Sequence, residues 1–333
     1  MKKVTMDTLA KELGTTKNTV SRALRGKNGV SQELRDKITA LANEYGYKKT
    51  IREAETHQPK KVTLVCNSAL LSDTYFWPTV MGGIFEYSAE HQIATHTVIV
   101  DMIKDDMKYL LPLQEKYCDG ILVVGTIPDA LFSRIAKLGI PVVAVDHYSD
   151  YIECDYVNTD NHNGVLKAVD FLAERGHTKI GYINNDMSPY ISSLTRRYQG
   201  YRNRMNHLGL DIDPKFVFPD SSYDSFQYYR DKLDMLGSDL PTAWICANDL
   251  TAYNFITVLA ERGIRVPEDI SLIGFDNITG IFPLQLTTLN IPQKSMGTCA
   301  MRRLMRRLRH PDEPFENIEI ITRLVDKGSV GSR

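Results

Sequence analysis

Between residues 17 and 22 the chain places Lys17, Asn18, Thr19, Ser21 and Arg22, the side chains best able to read a nucleic-acid duplex. An Asn amide makes paired hydrogen bonds to adenine in the major groove, Lys and Arg do so to guanine, and Thr or Ser hydroxyls hold phosphate oxygens. Lys17, Asn18 and Arg22 are the candidate base readers, and Thr5, Thr16, Thr19, Ser21, Lys27 and Ser31 complete the candidate contacts in this segment. The solvated face of an ordinary interaction helix is the alternative reading of the same pattern.

A second group of polar residues is spread over the rest of the chain. Asp146, Asn248 and Asp276 each follow a short apolar run, and Arg197 lies early in a polar helical stretch. Carboxylates, an amide and a guanidinium together give acceptors and a fork of donors suited to the neighbouring hydroxyls of a sugar. Taken singly, each such Asp is as readily a helix cap or turn former. Phe76 and Trp77 offer ring faces on which a sugar can stack, with burial in a core as the equal alternative.

Other chemistry is not indicated. The five cysteines, Cys66, Cys118, Cys154, Cys246 and Cys299, are scattered, with no close pair and no His at metal-ligand spacing, and read as buried reduced thiols. No nucleophile sits with a base, and no Gly-rich loop follows a strand. No catalytic residue, metal or cofactor is expected.

The elements that would position these residues are legible from periodicity. Thr5 can cap a helix carrying Met6, Leu9, Ala10 and Leu13, which Gly14 ends; Thr16 caps a second over Lys17 to Leu24; Ser31 caps a third with Leu34, Ile38, Leu41 and Tyr45 on one face. Three short helices with a tight turn between the first two describe a helix-turn-helix unit. From Lys61 onward, short β-branched strands alternate with amphipathic helices in two successive sets: a parallel sheet wrapped by helices, twice over. Asp146, Asn248 and Asp276 then fall at carboxyl ends of strands, where such sheets bind ligands.

Charge divides along the same line. Residues 1 to 61 hold fourteen Lys and Arg against seven Asp and Glu, a net of +7, while the remaining 272 carry −8. A basic module on an acidic body suits phosphate binding at one end. The longest apolar runs are far short of a membrane span, and no apolar stretch follows Met1, so neither membrane insertion nor secretion is expected and the cytoplasm is the expected compartment. A free-standing solute receptor with the same two-lobed body would carry a signal peptide and no basic module.

The run Val4-Thr5-Met6-Asp7-Thr8-Leu9-Ala10, then Lys17-Asn18-Thr19-Val20-Ser21-Arg22-Ala23-Leu24, Gly29-Val30-Ser31 and Tyr45-Gly46-Tyr47, resembles the N-terminal domain of the lactose-repressor (LacI/GalR) family. Asp119-Gly120-Ile121-Leu122, Gly176-His177-Thr178-Lys179-Ile180, Arg196-Arg197-Tyr198-Gln199-Gly200-Tyr201, Ala247-Asn248-Asp249 and Gly274-Phe275-Asp276 are similar to landmarks of that family's body. The resemblance implies an all-α headpiece at 1–47, a hinge at 48–61 and a two-lobed, periplasmic-binding-protein-like α/β domain at 62–333. The first lobe is then about 62–157 plus 290–317 and the second about 158–289 plus 318–333. It also implies a homodimer placing two recognition helices on a pseudo-palindromic double-stranded DNA operator, with a sugar-like effector at Asp146, Arg197, Asn248 and Asp276.

Three departures from the family pattern matter. The hinge carries Thr50 and Ala54 in fitting places, but Thr56 stands where an apolar wedge usually enters the minor groove, so weaker DNA bending is expected. Ile291 stands where a Gln can reach ligand, and Ser221 where an aromatic often stacks on the sugar. The helix from Pro292 to Arg309, with Arg302, Arg303, Arg306, Arg307 and Arg309 on one side, is expected in the first lobe as a solvated basic face, and the strands near 318 to 324 are expected to close the second.

Overall fold

Runs such as Val62–Cys66, Gly120–Val124 and Val142–Val145 are, Thr63 apart, apolar throughout, the pattern of strands buried on both faces. The computed structural model describes residues 6–24, 30–45, 61–100, 118–184, 192–219, 226–278 and 285–333, which fall into two compact units, 1–58 and 59–333.

The first unit holds α1 (Met6–Glu12), α2 (Lys17–Leu24) and α3 (Gln32–Glu44). Leu9, Ala10, Val20, Ala23, Ile38 and Ala42 form its core, with Leu13, Leu24, Val30, Leu34 and Leu41 packed around them. Gly14, at φ 60°, makes the turn between α1 and α2, and Thr15 N donates to Ala10 O at 2.9 Å. Glycine reaches that left-handed backbone without the steric cost a side chain brings.

In the second unit β1 (Lys61–Asn67), α4 (Ser68–Ser72), α5 (Trp77–Glu90), β2 (Ala94–Val100), β3 (Gly120–Val124), α6 (Asp129–Ala136), β4 (Val142–Val145) and β5 (Asp155–Thr159) come first. Next are α7 (Asn161–Ala173), β6 (Ile180–Ile183), α8 (Ser192–His207), β7 (Val217–Phe218), α9 (Phe226–Leu236), β8 (Ala243–Cys246), α10 (Asp249–Glu261), β9 (Ser271–Asp276) and β10 (Thr288–Asn290). The chain ends with α11 (Gln293–Arg309), β11 (Asn317–Ile320) and β12 (Arg323–Val325).

Two six-stranded sheets result, in the orders β11-β5-β4-β3-β1-β2 and β12-β10-β9-β8-β6-β7. Every pairing is parallel except β10 with β12. The chain passes between the sheets three times: after β5, after β10 and after β11.

This topology corrects one expectation. β11 does not close the second lobe; it pairs with β5 in the first, and only β12 joins the second sheet. The two strands are separated by Ile321 and Thr322 alone, a crossing too short for periodicity to reveal.

A second correction concerns α11. Arg302, Arg306 and Arg309 are exposed, but Arg303 and Arg307 are buried on the opposite side against the fully buried Asp155. Arg303 Nη2 donates to Asp155 Oδ1 at 2.6 Å, Arg307 Nε to Oδ2 at 2.7 Å, and the Glu316 amide to Oδ1 at 2.9 Å. Burial pushes the Asp155 carboxyl up, but these donors outweigh it and hold the group below its ordinary range.

Two helices start earlier than periodicity predicts, which places them over Met81 to His91 and near Gly164 to Arg175. α5 begins at Trp77 because Pro78 suits a first helical turn, and α7 begins at Asn161 because Asp160 caps it, accepting from Asn163 N at 3.3 Å. Periodicity also predicts a helix near Asp105 to Lys116, which lies outside the described residues.

Candidate functional site

In the first unit, the cap expected at Thr16 is formed. Its Oγ1 accepts from Thr19 N at 3.1 Å, and Ser31 Oγ accepts from Leu34 N at 3.4 Å. These bonds satisfy donors that a helix start otherwise leaves open. Val20 and Ala23 turn into the core, so Lys17 and Arg22 come out exposed on the other side of α2, with Thr19 half-buried. Arg35 Nη1 reaches Ala23 O at 3.4 Å, tying α3 to the end of α2.

Tyr45 departs from its expected place in the core. It is exposed and its hydroxyl donates to Glu12 Oε1, joining the end of α3 to α1. Asn18 and Ser21 lie on α2, their side chains outside what is described; Thr5, Lys27, Thr50, Ala54 and Thr56 lie outside the described residues altogether.

In the second unit the candidate ligand residues converge. Asp146 follows β4, Asn248 follows β8, Asp276 ends β9 and Arg197 sits on α8. All four are buried. Arg197 is the centre: Nε donates to Asn161 Oδ1 at 2.7 Å, Nη1 to Ala247 O at 2.5 Å, and Nη2 reaches Asp276 Oδ1 at 3.4 Å. Its guanidinium stacks 3.7 Å from the Phe275 ring centroid.

Backbone conformation marks the same strand ends. Asp146 has φ 51° and Asp276 φ 109°, a region that costs any residue with a Cβ. Such outliers persist where surrounding contacts over-determine them, often at ligand sites.

Electrostatically the cleft holds more carboxylate than cation. Burial raises the Asp146 carboxyl, and Arg197 offsets part of that. Burial raises Asp276 well above its ordinary value; Arg197 pulls it down, while Asp249, Asp146 and Asp73 push it further up. Around Arg197, the acceptor Asp146 Oδ1 and the donor Asn161 Nδ2 are among the buried polar atoms that have no hydrogen-bond partner among the described residues.

Asn248 takes the more ordinary of its two readings, capping α10 by accepting from Thr251 N at 2.8 Å. Phe76 is in the first lobe's core. Trp77 is half-buried, and a Cβ added to Gly125, the residue after β3, would lie 3.1 Å from its ring. Ile291, where the family pattern has a Gln, is buried in the same core. Ser221 lies outside the described residues.

Several groups escaped sequence reasoning. Asp73 accepts from the Tyr75 and Phe76 amides and reaches the cleft electrostatically. Asn161 holds Arg197. Tyr148 bridges the lobes: its amide donates to Ser192 Oγ at 3.3 Å, and Arg196 lies 3.8 Å from its ring centroid. Gln293 Nε2 donates to Asp276 O at 3.1 Å. The usable signal was position after a strand, which flags Tyr148 as it flagged Asp146; Asp73 follows α4, and it and the others reach the cleft through contacts between distant segments.

Among the described residues no group of His, Cys, Asp and Glu is arranged to hold a metal ion, and no helix is long and apolar enough to cross a membrane.

Comparison with known proteins gives two family matches. Residues 5–49 match the lacI family of bacterial regulatory proteins, and residues 169–330 a periplasmic binding protein-like domain. The chain is 27% identical over 340 residues to the HTH-type transcriptional repressor PurR of Pasteurella multocida, covering 99% of each. Among solved structures, a transcriptional regulator CelR–cellobiose complex superposes with TM-score 0.70 at 24% identity, covering 98% of this chain and 100% of that one. The lac repressor dimer bound to operator and the anti-inducer ONPF superposes with TM-score 0.71 at 19% identity, covering 99% and 100%.

Proposed function

The chain belongs to the lacI family of bacterial regulatory proteins and is a DNA-binding transcriptional regulator, and we propose that it is a cytoplasmic repressor of a carbohydrate-utilisation operon released or engaged by a neutral sugar. The observation that carries the effector class is the pair of unsatisfied buried groups, Asp146 Oδ1 and Asn161 Nδ2, on residues that share Arg197 as a neighbour. A hydroxyl both donates and accepts, so sugar hydroxyls can satisfy both. A phosphorylated sugar would bring further negative charge to a site where Asp73, Asp146 and Asp276 already outnumber one arginine.

Within this reading Asp146, Arg197, Asn248 and Asp276 form the polar wall of the effector site, Trp77 supplies its apolar face, and Phe76 supports Trp77 from the core at a ring-centroid distance of 5.0 Å. Lys17, Asn18 and Arg22 read bases of a pseudo-palindromic operator, with Thr16, Thr19, Ser21 and Ser31 on phosphates. A homodimer presents two such helices. The protein performs no catalysis and uses no cofactor.

Coupling runs through the three crossings between the sheets. An effector bound by groups from both lobes favours one relative orientation of them, and the cost of placing two head units on one operator changes accordingly. Such coupling is typically about 1 to 3 kcal/mol and is reciprocal, so operator DNA changes effector affinity by the same factor.

The test is a thermal-shift screen of the intact protein against neutral mono- and disaccharides, their phosphates and purines, followed by operator binding with each hit. A neutral sugar at a hundred times its dissociation constant adds about 2.7 kcal/mol of stability. Stabilisation by a purine or a sugar phosphate, with no neutral sugar active, overturns the effector class proposed.

A further inference from the structure

A second concave surface lies at the other end of the first lobe. Tyr87 of α5 and Arg302, Arg306, Arg309 and His310 of α11 and its cap line an open cavity of about 450 Å³. Positions 302, 306 and 309 are spaced by four and three, so the three guanidinium groups share one stripe of the helix.

Only one of them is neutralised. Arg306 is held by Glu313 through Nε to Oε2 at 2.8 Å and Nη2 to Oε1 at 3.2 Å. Among the described residues, no hydrogen bond or ion pair joins Arg302 or Arg309 to a carboxylate, and both are exposed. Basic residues in a helix's last turn complement its dipole, which accounts for Arg309. It does not account for Arg302, two turns from the end, nor for the concave surface the group makes with Tyr87.

The cavity is separate from the effector cleft. Asp146, Asn248 and Asp276 sit at carboxyl ends of strands. The second half of α11 lies instead against strand starts: Leu304 meets Gly120, the first residue of β3, and Arg303 and Arg307 hold Asp155, the first of β5. Lys61, where the chain enters the unit and begins β1, is at that same end, its amide donating to Asp119 Oδ2 at 3.1 Å.

We propose that this cavity is a phosphate-binding site, in which the forks of Arg302 and Arg309 grip phosphate oxygens beside the tyrosine ring and His310. Guanidinium forks match phosphate bidentately, and the volume falls in the range of small-molecule sites. The phosphate comes either from a small phosphorylated metabolite or from the DNA backbone, and two measurements distinguish the sources.

The first is titration of the intact protein with pyrophosphate at constant ionic strength, for wild type and for Arg302→Ala/Arg309→Ala. The second is the salt dependence of operator affinity for the same two proteins. The substituted side chains are exposed, and Arg302→Lys/Arg309→Lys, which keeps charge and stem but loses the fork, guards against a folding defect. At least a tenfold loss of pyrophosphate affinity in the alanine pair, less than fully recovered by the lysine pair, assigns the site to a small anion. A fall of about 2 in the log–log salt slope, at about 0.9 per phosphate, assigns it to DNA. Pyrophosphate affinity and salt slope both unchanged by the substitutions overturn the proposal, and the pyrophosphate measurement stands whether or not the protein binds an operator.

Discussion

Arg197 and Asp276 form a buried ion pair, Nη2 to Oδ1 at 3.4 Å, in which the arginine's other nitrogens are already committed to Asn161 and Ala247. Arg197 thus organises the cleft. Arg197→Ala is expected to leave Asp146 and Asp276 without their counter-charge and to weaken effector binding at least tenfold. Operator affinity without effector should change less than threefold. Arg197→Lys should rescue poorly, because one ammonium cannot reproduce three bonds in fixed directions. Calorimetry with the effector checks this; wild-type affinity in the lysine variant would show that charge alone matters.

In the head unit, Lys17 and Arg22 project from α2 on the side away from Val20 and Ala23. A residue reading a base should cost about 1 to 3 kcal/mol when truncated and relax specificity at one position; a residue on phosphate should weaken all sequences alike. Arg22→Ala is expected to behave in the first way. Binding measured on an operator and on its single-base variants separates the two, and uniform weakening would move Arg22 to the backbone class.

Much of this site is legible in the sequence, and the reasons it stops are physical. Asp146, Asn248 and Asp276 are visible because each follows an uninterrupted apolar strand, and strand ends are where open sheets bind ligands. Thr16 is visible because a cap acts three residues away. Asp155 is invisible: its partners Arg303 and Arg307 lie about 150 positions further on, and an i, i+4 pair of arginines reads as a solvated face until the opposing carboxylate is placed. β11 and β12 belong to different sheets although two residues separate them, since sheet membership is decided by which distant edge each strand meets.

That buried triad sets a stability prediction. Asp155→Ala leaves the buried Arg307 without a carboxylate and Arg303 with only Glu316 at 2.8 Å and Glu313 at 4.0 Å, and loss of one partner from a buried pair costs about 3 to 5 kcal/mol. Arg306→Ala, which breaks a solvent-exposed pair with Glu313, should cost less than about 1 kcal/mol. Urea melts of both variants provide the comparison. Equal costs would mean that the Asp155 cluster relaxes to water, contrary to its burial.

Asp249 gives the sharpest dependence on pH. Burial raises its carboxyl from 3.8 to about 6, against hydrogen bonds from Thr288 Oγ1 at 2.6 Å and the Ile278 amide at 2.8 Å and the charges of Lys327 and Arg197. With the folded value above the unfolded one, the folded state binds more protons between about pH 4 and 6, so this group's contribution is present at pH 4 and lost as pH rises through about 6. Asp249→Asn keeps an acceptor for Ile278 and offers its amide to Thr288, and removes the titration. The wild type minus variant stability should therefore fall by about 2 kcal/mol between pH 4 and pH 7, the larger part of the roughly 3 kcal/mol to which a shift of this size converts. Other carboxylates titrate in the same window, but they do so in both proteins and cancel in the difference. A difference that stays level across that range would place a charged, well-solvated carboxylate at Asp249 and remove it from the set of buried acids that bias the cleft toward neutral ligands.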